Sequence, residues 1–221
     1  MRFITLAAAG IAMLISAAPA VQASDNRQMD ADILVVAEEW AKIKYLSKDD
    51  TERKEKMEAL AVKADALVTH YPGRPEALIW DGIVTSERAS LTWGLTALNH
   101  ASRARDLLLE AYKMDPKALD GGAPTSLGVL YYRVPGWPVG WGDSDKARKF
   151  LEEAVKNAPN GRDAHYFYAD FLYEQGEYQK AEQVLKVALA LPRHPERPVW
   201  DSYFPKVMEG LMTKVQAKMK S

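Results

Sequence analysis

Apolar residues recur at intervals of three and four positions through most of this chain, which is the pattern of amphipathic helices. One such series fills residues 30–46: Ile33, Leu34, Ala37, Trp40, Ala41 and Ile43. A second series follows a polar break at residues 47–50: Met57, Leu60, Ala61, Ala64, Leu67 and Val68. Residues 71–75 hold two prolines and a glycine, which should end the second helix. Because no stretch alternates apolar and polar residues as a strand does, the sequence predicts an all-α protein.

A second pattern repeats on a longer scale and indicates paired helices. Three segments share a small–large–small spacing followed by proline: Ala104, Leu108, Ala111 and Pro116; Ala147, Leu151, Ala154 and Pro159; Ala181, Leu185, Ala188 and Pro192. One small residue in an earlier helix precedes each segment: Gly82, Gly128 and Ala169. Small residues let two helices approach closely, and the larger ones fill the space around them. The spacing is similar to that of tetratricopeptide repeats, which are helix–turn–helix units of about 34 residues.

The first two repeats are longer than the third. In the third repeat, 12 residues separate the small residue of the first helix from Ala181, whereas the separations are 19 residues before Ala147 and 22 before Ala104. We expect the extra residues to form loops at residues 135–142 and near residues 90–95. Because both join the first helix of a pair to the second, they should emerge at the same end of the molecule.

The segment at residues 135–142 has an unusual composition. It holds two prolines and three glycines, which forbid a helix, together with Trp137, Val139 and Trp141. Large apolar rings on an irregular loop must pack against the protein itself, a ligand or a partner. Structural packing is the expected role of at least one of the two tryptophans. Since the other insertion brings Trp93, the two loops could form one wall or lid.

These patterns predict a single right-handed α-solenoid of tetratricopeptide-like helix pairs with helical caps. Residues 24–74 are assigned to N-terminal capping helices, and residues 75–192 to three repeats with long intra-repeat loops. Residues 193–221 are assigned to a C-terminal capping helix. Caps are needed because a terminal repeat otherwise exposes its stacking face to water.

Residues 1–23 have the pattern of a secretory signal peptide. Arg2 precedes an apolar run at residues 4–15, and residues 21–23 supply a cleavage site. No later stretch is long and apolar enough to cross a membrane. The sequence has no Cys, so disulfides and an N-terminal lipid anchor are excluded. We expect export to a bacterial periplasm, with secretion as the alternative.

Charge and motifs exclude several classes of function. The formal net charge is −1 with both signs interspersed, so no nucleic-acid-binding face is predicted. No nucleophile elbow, phosphate-binding loop or zinc motif is present, and the four His residues lack ligand spacing. Asp143 comes just before a predicted helix, so capping explains it better than metal binding. The sequence therefore predicts a protein that is not an enzyme and holds no cofactor.

Three stretches of sequence extend the resemblance beyond the repeat spacing: PGRPEALIW, LGVLYYRVPGWPVGWGD and HYFYADFLYEQGEY. They resemble exported bacterial proteins of the T-component family associated with TRAP-type transporters. The resemblance implies a periplasmic helical-repeat protein that works beside the solute-binding subunit of the transporter, oligomerises, and offers a cavity for apolar ligands. Some members of that family are lipoproteins, whose lipid is attached through an N-terminal Cys. Because this sequence has no Cys, we do not expect that anchor here.

The candidate binding residues lie on the predicted concave face or on the inserted loops. Residues one place beyond the packing positions should turn toward the concave side, about 100° round each helix. The resulting set, with the loop tryptophans, is Trp93, Tyr132, Arg133, Trp137, Trp141, Tyr166, Asp170 and Tyr173. This groove would be more apolar than a free surface, so it either binds a ligand or is covered by the inserted loops or the final helix.

Three functions follow as alternatives. The first is a non-catalytic TRAP-associated accessory protein that contacts a periplasmic solute-binding protein and holds an apolar small ligand. The second is a general scaffold for cell-envelope assembly, which the fold alone supports equally. The third is a soluble small-molecule carrier that acts alone. A homo-oligomer is compatible with each of them.

Overall fold

The computed structural model describes the backbone of residues 18–220 and the side chains of residues 26–220. Within that range the chain is helical throughout and contains no strand, which confirms the predicted fold class. The helices are α1 (Ala18–Leu46), α2 (Asp50–His70), α3 (Pro75–Ser90), α4 (Gly94–Met114), α5 (Ala118–Arg133), α6 (Ser144–Asn157), α7 (Arg162–Glu174), α8 (Tyr178–Ala190) and α9 (Pro198–Lys220). Most of the predicted signal peptide, residues 1–23, lies outside the described residues and stays a prediction.

The helices pair as the small-residue spacing predicts, α3 with α4, α5 with α6 and α7 with α8. In the second pair, a methyl group added at Gly128 would lie 2.5 Å from Leu151 Cγ, closer than carbon atoms can approach. In the first pair, a methyl group at Gly82 would lie 2.7 Å from Leu108 Cγ. Glycine at these positions therefore allows a leucine of the second helix to reach the backbone of the first.

The two expected insertions take different forms. The loop between α5 and α6 exists and is fixed by backbone hydrogen bonds, from Gly142 N to Pro135 O at 2.9 Å and from Asp143 N to Tyr131 O at 2.8 Å. No such loop lies near residues 90–95, where a turn of three residues joins α3 to α4. The extra residues lengthen the helices instead, since α4 has 21 residues and α8 has 13. That part of the prediction was wrong because periodicity continues smoothly through the added helical turns.

Several helix ends are fixed by local chemistry. Asp143 caps α6, because its Oδ1 accepts a hydrogen bond from Lys146 N at 3.0 Å, as the sequence predicts. Asp49 caps α2 in the same way, accepting from Glu52 N at 2.8 Å. At the start of α5, residues 119–121 have positive φ angles, so its regular turns begin after Gly121. The turn at residues 119–121 therefore sets where α5 begins to line the concave side.

The last helix closes the solenoid on itself. α9 packs against α8 and α7, as the next helix of a repeat would, and it also contacts α1. Tyr45 of α1 stacks on Tyr203 of α9 with ring centroids 5.3 Å apart. Arg197, just before α9, lies over the ring of Trp80 on α3 at 5.7 Å. The concave face is therefore enclosed by the first and last helices.

Candidate binding cavity

The ring of helices surrounds a cavity of about 1090 Å³. Its walls come mainly from the inner helices α1, α3, α5, α7 and α9, with the start of α4 and the adjoining loops at one side. Most of the lining is apolar, including Ile33, Trp40, Ile79, Ile83, Val129, Leu130, Phe167 and Phe204. This volume is at the upper end of small-molecule sites, which are concave, mostly apolar and carry a few polar groups that orient a ligand. The final helix and the loops thus border the concave space and do not fill it.

The cavity has an exposed apolar rim. Trp93, Leu95 and Val139 line it, and their exposed fractions are 90%, 79% and 69%. The two segments that carry them are neighbours, since a methyl group added at Gly140 would lie 3.5 Å from Leu98 Cδ1. Exposed apolar side chains grouped in one place indicate a binding surface. We call these three residues the rim.

Two cation–anion pairs lie toward the C-terminal ends of the inner helices. Lys44 Nζ donates to both carboxylate oxygens of Glu87, at 3.0 and 2.7 Å. Arg133 donates to buried Asp170 and also lies 3.6 Å from Glu174. Because each cation already holds a carboxylate, these pairs give the wall polarity with little net charge.

A second polar group surrounds the start of α9. The Arg197 guanidinium lies over Trp200 at 4.4 Å and over Trp80 at 5.7 Å. Its Nη1 is 3.6 Å from Asp163 Oδ2. Beside them, buried Arg162 donates to Asp201 at 3.1 Å. Arg197, Asp163 and Arg162 all line the cavity, so one part of its wall is strongly polar.

Burial perturbs the acids of this wall. Asp163 keeps 43% of its side-chain surface accessible, but that surface faces the cavity. Desolvation there raises the pKa of its carboxyl above the ordinary 3.8, and the nearby charges of Arg197 and His194 oppose the shift. Burial and the nearby charge of Asp170 raise the pKa of Tyr166 to about 12. Tyr166 is therefore a neutral hydroxyl at neutral pH and packs edge-on against Phe204 at 5.0 Å.

The structure brings three of the predicted binding residues to the cavity, namely Trp93, Arg133 and Tyr166. Tyr132 and Asp170 lie behind the wall, where the Tyr132 hydroxyl donates to Asp170 Oδ2 at 2.5 Å. Asp170 thereby holds Arg133 in place. Of these five predicted residues, three line the cavity and two support its wall from behind.

The three remaining predicted residues lie away from the cavity wall. Trp137 points outward from the α5–α6 loop and is 90% exposed. Trp141 packs inward, with its Nε1 donating to Ser102 Oγ at 3.0 Å and its ring edge-on to Tyr131. Tyr173 contacts Tyr178 with ring centroids 5.7 Å apart. Of the two loop tryptophans, Trp141 is the one that plugs the fold.

Sequence reasoning missed the contribution of the two end helices. Lys44 and Tyr45 come from α1, and Arg197 and Trp200 from the segment that opens α9, yet both regions were assigned only to caps. The density of aromatic residues in these helices was the available signal. A helix that only covers a stacking face does not need Trp40, Tyr45, Trp200 and Tyr203.

No group of three or more His, Cys, Asp or Glu side chains able to hold a metal occurs among the described residues. The described helices also include none that is both long and apolar enough to cross a membrane. His165, 6% exposed, makes a 2.8 Å contact with Gly161 O, so its role in this structure is helix packing.

Part of this chain is similar to a known family of repeats. Residues 141–198 match the family model for the tetratricopeptide repeat. This stretch of the chain is therefore similar to a tetratricopeptide repeat. The match spans α6, α7 and α8 and ends at the first residue of α9. Solenoids of stacked repeats present extended concave surfaces, which they use for binding.

One solved structure with a similar fold is a tetratricopeptide-repeat protein. TTC0263, a thermophilic tetratricopeptide-repeat protein of Thermus thermophilus, is similar with a TM-score of 0.51 and 19% identity, covering 76% of this chain and 92% of that one. Yeast Tom70 matches with a TM-score of 0.46 and 20% identity, covering 76% of this chain and 32% of that one. No curated protein gave a significant match.

Proposed function

We propose that this is an exported, periplasmic, non-catalytic binding protein that holds an apolar ligand in its partly enclosed cavity. We further propose that it works as an accessory of a TRAP-type transporter and contacts the solute-binding subunit through its rim. The observation that carries the proposal is the closed ring of helices around about 1090 Å³ of mostly apolar space. A scaffold that only docks peptides would need an open groove, since a peptide must lie along the repeats.

The transporter role has separate support. The sequence resembles the T-component family over most of residues 24–221, and repeats of this kind bind proteins. Trp93 and Trp137, both 90% exposed, lie on the two neighbouring segments near the mouth of the cavity. Trp is enriched at the centres of protein interfaces. A partner that covers the mouth could receive a ligand directly from the cavity.

Ligand binding is tested with N-phenyl-1-naphthylamine, a neutral apolar probe whose fluorescence rises in apolar sites. Val129 lines the cavity and is half-buried, so Val129→Trp should narrow the apolar space and weaken probe binding. Val62 is 71% exposed on α2 and lies away from the lining, so Val62→Trp is the matched control. Equal probe binding by both variants would exclude the cavity as the site.

Partner binding is tested by a pull-down from envelope extract with the exported protein and with a Trp93→Ala/Leu95→Ala variant of the rim. The native protein should recover a TRAP solute-binding subunit, and the variant should not. Because both side chains are exposed, the variant should fold normally, which circular dichroism checks. Recovery of envelope-assembly proteins would support the scaffold, and recovery of no specific protein would leave the lone carrier.

A further inference from the structure

The basic side chains that line the cavity differ in how well they are paired. Among the described residues they are Lys44, Arg133, Arg162 and Arg197. The first three each donate to a carboxylate within hydrogen-bonding distance, namely on Glu87, Asp170 and Asp201. Arg197 is different, because its acidic neighbour Asp163 lies 3.6 Å away, beyond ordinary hydrogen-bond length. Among these four cations, Arg197 is therefore the one whose nearest carboxylate is farthest away.

The position of Arg197 suits a receptor for an anion. Its guanidinium is held over the rings of Trp200 and Trp80, which fix its plane without satisfying its N–H groups. Its side chain is 18% exposed and lines the cavity, so part of the guanidinium is open to a ligand. A planar guanidinium fixed in this way matches the two oxygens of a carboxylate.

The charged groups around Arg197 further limit the charge that a ligand can carry. Arg162, Arg193 and His194 lie on the same side of the cavity as Arg197, whereas Asp201 is already shared by Arg162 and Arg193. Asp163 and Glu196 also line this part of the wall. The two acids would repel a dianion such as a phosphate monoester more strongly than a single negative charge.

We propose that the ligand of the cavity is an apolar monocarboxylate whose head group binds the Arg197 guanidinium, with its tail along the apolar wall of α3 and α5. This inference rests on the proposed function, because it names the ligand class of the same cavity. On binding, the carboxylate displaces Asp163 as the acceptor that faces Arg197. A cation on Asp163 is the alternative, and it is disfavoured because Arg197, Arg162 and His194 all face that carboxylate.

The test uses three probes with the same twelve-carbon tail and different head groups: dodecanoate, dodecanol and dodecyltrimethylammonium. Each competes with N-phenyl-1-naphthylamine on the exported protein at pH 7. Dodecanoate should bind roughly tenfold more tightly than dodecanol, as expected for a hydrogen bond to a charged group. Arg197→Gln should remove that preference and leave dodecanol binding unchanged. Arg53→Gln, which removes an arginine on α2 outside the cavity, should keep it.

A second variant distinguishes the loss of the head-group contact from misfolding of Arg197→Gln. Asp163→Asn removes the opposing carboxylate and should tighten dodecanoate binding, a gain that an unfolded protein does not produce. Equal affinity for dodecanoate and dodecanol in the native protein, or tighter binding of dodecyltrimethylammonium, would overturn the inference and leave the apolar cavity intact. Failure of the neutral naphthylamine probe to bind at all would instead overturn the proposed function, and the inference with it.

Discussion

Tyr45 and Tyr203 stack with their ring centroids 5.3 Å apart and their planes 9° from parallel, although they belong to the first and last helices of the solenoid. This contact lies at the seam where the ring closes. The two helices do not belong to the same repeat. They meet only because the helix pairs between them turn the chain through the superhelix. The contact between α1 and α9 at this seam turns the concave face of the solenoid into a cavity.

Removing the seam contact should weaken the ring without destroying the repeats. We expect Tyr203→Ala to lower the free energy of unfolding by about 1–3 kcal/mol, and a double-mutant cycle with Tyr45→Ala to give a coupling of about 0.5–1.5 kcal/mol. Urea unfolding measures both. Tyr168→Ala, which removes a partly buried tyrosine paired with Glu152, is the matched control. A coupling of zero would show that the two rings do not hold the seam.

The two tryptophans of the α5–α6 loop should respond in opposite ways to substitution. Trp141 packs against Tyr131 and hydrogen-bonds to Ser102, so Trp141→Ala should lower the melting temperature and cost about 2–4 kcal/mol. Trp137 is 90% exposed, so Trp137→Ala should change stability by less than about 0.5 kcal/mol. A strong loss of stability for Trp137→Ala would show that this ring packs inward in solution.

The parts of the fold that could be predicted are those set by local spacing. Gly128 and Leu151 are paired by a repeat that is visible in the sequence, and Asp143 caps a helix that begins directly after it. The pairing of Tyr45 with Tyr203 could not be predicted, because it depends on the small rotations accumulated over every helix pair. Arg197 was missed for the same reason, since the sequence does not show which distant helix its segment meets.

Close packing between the paired helices predicts a cost for one added methyl group. Gly128→Ala places a carbon 2.5 Å from Leu151 Cγ, so the helices must separate or the leucine must change rotamer. The expected loss is about 1–3 kcal/mol in urea unfolding. Gly210→Ala on α9 is the matched control, because nothing lies within 4 Å of the added methyl group. That control should gain about 0.5–1 kcal/mol from helix propensity, and equal effects at both glycines would contradict the packing.

The cavity-facing carboxyl of Asp163 predicts a dependence of stability on pH. Because its pKa in the folded protein is raised above 3.8, the folded protein binds more protons than the unfolded chain between that value and the folded pKa. Stability contributed by the protonated form is therefore lost as the pH rises through this interval.

Asp163→Asn removes this titration and should flatten the pH dependence of the free energy of unfolding. The groups that act on Asp163 are Arg197, His194, Arg162 and the Tyr45 ring, and all of them remain in the variant. Urea unfolding of both proteins from pH 4 to pH 7 measures the difference. At pH 7 the variant should be at least as stable as the native protein. A variant that is less stable at pH 7 and equal at pH 4 would show that attraction to Arg197 outweighs the cost of burying the charge.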